Sequence, residues 1–170
     1  MPGSDRITVY MGTYTRRESF VNGKAAGIYI YHLDSTSGEL TYAATVSGAG
    51  TINPSFLTLG PDKSCLYAVN EITAGKGPHG TVSAFAIDPA TGSLSYLNQQ
   101  STHGLAPCYV SIEPEGRYGL VANYETGNIC VLPVQKDGSL GEATDTVQFA
   151  GSGSNPERQE GPHAHMVVPS

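Results

Sequence analysis

The sequence predicts an all-β chain built from repeated four-stranded antiparallel sheets, on three observations. Tyr, Val, Ile, Leu and Thr cluster in runs of five to eight residues bounded by Gly, Pro, Asp and Ser, a composition that suits a pleated, half-buried surface. No segment keeps a 3.6-residue apolar period over three turns, so nothing reads as an amphipathic helix. The chain also repeats itself. "GIYIYHLDSTSGEL" from Gly27, "GTVSAFAIDPATGSL" from Gly80 and "GNICVLPVQKDGSL" from Gly127 share a glycine, an apolar strand, a turn and a closing Gly-x-Leu, with starts 53 and then 47 residues apart. "NPSFLTLGPDKSCLYAVNE" from Asn53 and "APCYVSIEPEGRYGLVANY" from Ala106 repeat in step, again 53 apart. A strand-only repeat of this length is a β-propeller blade, four strands in roughly 40 to 50 residues.

Each repeat divides into four strands. The first follows Pro54 or Pro107, the second is CLYAVN or GLVAN, the third VSAFAID or NICVLPV, and the fourth starts at Leu94 or near Leu140. MGTYT, from Met11, falls on the second-strand position, so the chain opens in mid-blade. "GPHAHMVVPS" matches the next first strand, its Pro162 and Pro169 answering Pro54 and Pro61, and Pro107 and Pro114. The expected organisation is a single incomplete propeller domain over 1–170: a partial blade at 7–50, blades at 51–104 and 105–152, and the first strand of a fourth at 162–168. Three blades plus one strand fall short of a ring of typically four to eight, so bare apolar blade faces, poor stability alone and at best weak activity are expected.

Composition narrows the function classes. The 39% hydrophobic content is ordinary for a folded domain, and 15 Asp and Glu against 9 scattered Lys and Arg give a net charge of −6, which disfavours nucleic acid or an anionic membrane as partner. The first residues lack an apolar signal core and no run is long enough to span a bilayer, so the reading is cytoplasmic. Cys65, Cys108 and Cys130 lie in apolar runs without CxxC spacing, which favours buried, reduced thiols.

With these blocks in place, the chain resembles the seven-bladed β-propeller lactonases, the family of 6-phosphogluconolactonase and carboxy-cis,cis-muconate cyclase. The matching blocks run in order: MGTYT, GIYIYHLD, NPSFL, LYAVNE, GTVSAFAID, the TGSL turn, PCYVS, VANY and RQEGPHAH at 158–165. The last is the most specific, since blade strands alone fit other propellers. The resemblance implies a small-molecule sugar lactone as substrate, most simply 6-phosphogluconolactone hydrolysed to 6-phosphogluconate, or a muconate-type diacid closed into a lactone. A propeller serving as an interaction platform is the non-enzymatic alternative.

Blade geometry locates the chemistry independently. Strands alternate direction, so first-strand starts and second-strand ends share one face of the disc. His163 and His165 stand at a first-strand start; Tyr14, Asn70, Glu71, Asn123 and Tyr124 stand at second-strand ends. The irregular loops 15–26, 72–79 and 151–161 fall on the same face, the usual sign of a binding face. His163 aligns with Ser55 and Cys108, and His165 with Leu57 and Val110, so the imidazoles replace small or apolar groups. By themselves two such histidines also fit a structural role, bonding loop backbone between blades.

A lactone is an internal ester, and opening it requires a base to activate water. Under the resemblance, one of His163 and His165 is the expected base, with Glu71 orienting or tuning it. Arg158 is the expected anion contact, a guanidinium suited to phosphate or carboxylate, unless Glu157 or Glu160 pairs with it. Asn123, Tyr124 and Tyr14 are expected to bond substrate hydroxyls. Neither a cofactor nor a metal is expected: GxSxG, HExxH, CxxC and a GxGxxG before a helix are all missing from the sequence.

Overall fold

The repeated turns show why these residues make hairpins. In the computed structural model, which describes residues 6–75 and 79–170, Asp34 Oδ1 accepts the amides of Thr36 and Ser37, and Gly38 N closes the turn onto Asp34 O at 2.8 Å. Asp88 does the same with Ala90, Thr91 and Gly92. An Asp that caps its own turn, followed by glycine in the left-handed region (φ 75° at Gly38, 72° at Gly92), reverses the chain cheaply.

These turns link eleven strands: β1 (Arg6–Met11), β2 (Ile28–Asp34), β3 (Leu40–Val46), β4 (Leu57–Leu59), β5 (Cys65–Asn70), β6 (Thr81–Ile87), β7 (Leu94–Ser101), β8 (Pro107–Ile112), β9 (Tyr118–Asn123), β10 (Asn128–Pro133) and β11 (Asp145–Gln148). They form three sheets of sequential neighbours, β1-β2-β3, β4-β5-β6-β7 and β8-β9-β10-β11, all antiparallel. The architecture is the expected all-β partial propeller, with three strands in the first sheet and four in each of the others. Among the described residues no helix is long and apolar enough to cross a membrane.

Sheets stack face to face. All six residues of β5 are buried, because period two sends its side chains alternately to both neighbours. Leu66 and Ala68 join Ile28 and Phe85 in a core between the first and second sheets. Cys65, Tyr67 and Val69 join Val110, Val121, Cys130 and Leu132 between the second and third. The two outer faces of the stack carry exposed apolar side chains, among them Ile7 and Met11 at one end and Val147 and Met166 at the other.

Two expected strands differ. The fourth strand of the third sheet starts at Asp145, not near Leu140, which makes only an isolated bridge to Val134. The cause lies in the neighbouring sheet: Asn98 donates to Leu140 O at 2.7 Å and accepts from Leu140 N at 2.9 Å. Leu140 is itself buried in the inter-sheet core, so its backbone is already committed. The segment 162–168 forms no ladder. It leans on the third sheet instead, where Ser111 Oγ donates to Val167 O at 2.7 Å.

The loop after β1 is not irregular. Ala25 N bonds Tyr14 O, Gly23 N bonds Arg16 O and Glu18 N bonds Val21 O, with Arg17 and Asn22 bridged, so residues 14–25 form a small hairpin with Ser19 and Phe20 at its tip. A buried carboxylate pins it. Glu18 Oε1 accepts from Arg16 Nε and Asn53 Nδ2, each at 2.8 Å, and Oε2 accepts from the amide and hydroxyl of Thr73 at 3.1 and 2.8 Å. Burial alone would raise the Glu18 pKa, but the bonds from Arg16 and Thr73 outweigh it and hold the carboxyl below its ordinary value. Asn53, at φ 42°, also accepts the amides of Thr15 and Arg16 and donates to Glu71 O.

Glu18→Gln places an amide against donors and is expected to cost about 1–3 kcal/mol at neutral pH in urea unfolding. A depressed carboxyl stabilises fully above its unfolded value and loses that contribution as pH falls through its folded value. The gap between wild type and variant therefore narrows as pH drops below 4.5, the ordinary value; a gap constant into the acid range would refute the carboxylate's role. Gly12→Ala drives its methyl into the Pro54 carbonyl oxygen and is expected to lower stability by about 1–3 kcal/mol in the same assay.

Candidate functional site

The pinned hairpin, the ends of β5 and β9 and the segment 158–165 meet around a cavity of about 570 Å³. Five of the seven residues singled out from sequence line it: Tyr14, Glu71, Tyr124, Arg158 and His165. His163 and Asn123 are not on its wall.

Tyr14 and Glu71 form its best-defined pair. Tyr14 Oη donates to Glu71 Oε2 at 2.8 Å. Burial first, then the bond to Glu71 and its charge, push the phenol well above its ordinary value, so it stays a proton donor across the physiological range. Glu71 is itself 8% exposed, and its backbone is fixed by Asn53 from both sides. Among the described residues neither imidazole bonds the Glu71 carboxylate, so direct orientation of a histidine by Glu71 is replaced by its contact with Tyr14.

The two histidines divide across Tyr124. The His163 ring stacks on the Tyr124 ring at 4.4 Å and 15°, while His165 meets Tyr124 edge-on at 4.8 Å and 63°. His163 Nδ1 lies 3.0 Å from Tyr124 O. A carbonyl only accepts, so Nδ1 is the donor and the tautomer is fixed. Nε2 lies 3.2 Å from Glu160 Oε1, an ion pair when the ring carries both protons. His163 thus has Nδ1 engaged away from the cavity, and Nε2 as well when the ring carries both protons. His165, exposed and on the wall, has an imidazole free of such bonds among the described residues.

Arg158 is exposed and lines the cavity without an ion pair among the described residues; Glu160, a possible partner, turns to His163. Asn123 differs from expectation. Fully buried, it donates from Nδ2 to Thr102 O at 3.0 Å, and Gly104 packs on its amide. Asn123 shares its face of β9 with Val121, the face packed against the second sheet, so it is enclosed, and Tyr124 is the next residue to reach the wall. Asn70, its counterpart on β5, is likewise spent on Gly50 O and Ile52 O.

Sequence reasoning missed Ser55, Cys108, Ser19, Phe20 and Thr73 on the wall. Ser55 and Cys108 were within reach of the repeat alignment, since both occupy the His163 position. Burial, and then the Glu71 charge, push the Cys108 thiol up to about 11, so it is no ready nucleophile. The loop 72–79 lies partly outside the described residues. Among those described, no three His, Cys, Asp or Glu side chains gather as a metal centre would need.

A family model described as "Lactonase, 7-bladed beta-propeller" matches residues 8–170. The 6-phosphogluconolactonase of Bacillus subtilis (strain 168) is 35% identical over 158 residues, covering 93% of this chain and 42% of that protein. A Bacteroides fragilis crystal structure, assigned provisionally as a 6-phosphogluconolactonase, superposes with a TM-score of 0.81 at 36% identity, covering 96% of this chain and 42% of the other. The periplasmic gluconolactonase of Pseudomonas aeruginosa gives 0.70 at 30% identity, covering 90% and 45%. The chain spans less than half the length of these relatives, yet its blades, its order of blocks and nearly every residue fall within one match: it belongs to the seven-bladed β-propeller lactonase family.

Proposed function

We propose that this chain supplies part of a lactonase site that hydrolyses 6-phosphogluconolactone to 6-phosphogluconate, in the cytoplasm where sugar phosphates are held. The observation that carries the reading is the convergence of His165, the Tyr14–Glu71 pair and Arg158 on one cavity. His165 is the general base. It takes a proton from water as the oxygen attacks the lactone carbonyl, and the imidazolium returns that proton to the ring oxygen when the acyl bond breaks. Arg158 takes the phosphate, a group that a planar guanidinium binds through two parallel bonds. His163 holds Tyr124, and through it the edge against which His165 rests. The relatives' names support lactone hydrolysis, and lactone-forming cyclisation takes no support from them.

The test is hydrolysis of 6-phosphogluconolactone and δ-gluconolactone above the spontaneous rate. His165→Ala is expected to lower kcat by about 10²- to 10⁴-fold, and His163→Ala by much less. Arg158→Ala is expected to raise KM about tenfold or more for the phosphorylated lactone, leaving the unphosphorylated one nearly unchanged. Full turnover by the His165 variant would remove it as the base, and equal KM effects on both lactones would remove Arg158 from the phosphate.

A further inference from the structure

Phe20 has no role in the chemistry above, and nothing in the core claims it. Its ring is 56% exposed, and its aromatic neighbour is Tyr14, met edge-on at 5.7 Å and 84°. A single exposed aromatic on a surface is unremarked. This one stands on the cavity wall, and its mounting is stiff. The hairpin beneath it is held by the backbone bonds of Tyr14, Arg16 and Glu18, and Glu18 is fixed from below by Asn53 and Thr73. The side chain is therefore kept out of the core and beside the catalytic groups by a carboxylate with every strong bond made.

The geometry points to Phe20 as a ring-stacking platform that selects the closed, six-membered polyhydroxylated ring over its open-chain product. The ring identity rests on the lactonase reading. A closed sugar ring with equatorial hydroxyls has two faces of C–H hydrogens and a polar rim. The face suits an aromatic plane, and the rim suits the hydrogen-bonding groups around it. Hydrolysis destroys the face: the open-chain acid is flexible and presents hydroxyls on all sides. The same ring that binds substrate thus loses its complement when the acyl bond breaks, which favours product release without weakening the hold of Arg158 on the phosphate.

The chain contains no tryptophan, so Phe20→Trp installs a single indole reporter at the platform. The probes are 1,5-anhydroglucitol 6-phosphate, a closed ring that cannot be hydrolysed, and 6-phosphogluconate. The expected result is a saturable change in indole emission with the closed ring at a Kd at least about threefold below that for the open acid. Phe20→Ala is expected to weaken closed-ring binding in calorimetry about three- to tenfold, and to raise KM for the lactone by a similar factor with kcat little changed. Equal affinity for ring and open acid, silent emission while calorimetry shows binding, or no ring binding at all would overturn the platform. Emission change and ring selectivity without lactone turnover would uphold the platform while the lactonase reading fails. Turnover with an unchanged KM in Phe20→Ala would overturn the platform and leave that reading standing.

Discussion

The candidate site hangs on Asn53. This residue is buried and uses its whole polar inventory on two separate stretches of chain: Oδ1 takes the amides of Thr15 and Arg16, Nδ2 gives to Glu18 and to Glu71 O, and its carbonyl accepts Glu71 N. Tyr14, Ser19, Ser55, Glu71 and Thr73 lie within two residues of those bonds, and all five line the cavity. A buried network of this kind is stable only when complete. Completeness here couples the first sheet to the second at the point where the chemistry is set out. The φ of 42° that lets Asn53 turn inward is repeated at Ala106 (51°). The backbone kink therefore belongs to the blade, while the polar junction belongs to this one interface.

That division explains what the sequence disclosed. Strand type, sheet order and the face where the cavity opens follow from period-two burial and from turns such as Asp34–Gly38, which are local and repeat. The cavity-lining residues at strand ends were legible for the same reason, because register fixes which residue first passes the end of the sheet. Tyr124 and Glu71 emerge there, and Asn123, one residue earlier, does not. Features built by contact between blades were hidden. Leu140 reads as the start of a strand until Asn98, 42 residues away, takes both its backbone groups. The hairpin at 14–25 reads as an irregular loop because its pins, Asn53 and Thr73, are far off in sequence. Phe20 carried no signal, since a lone aromatic in a loop has no period.

The histidine pair shows how a repeat diversifies without changing its backbone. Ser55, Cys108 and His163 occupy one blade position, and the third carries a ring that stacks on Tyr124, just past the preceding sheet's second strand. Once there, its Nδ1 is taken by Tyr124 O and its face by the Tyr124 ring, so the ring is spent on placement. His165, two residues on, meets the same tyrosine only by its edge and keeps its nitrogens for the cavity. Two identical side chains at period two are thereby made unequal by one aromatic between them. Positioning and proton transfer place opposite demands on an imidazole, the first needing every bond made and the second needing one left open. One histidine cannot meet both, and under the proposed lactonase reading the doublet in GPHAH gives each demand its own ring.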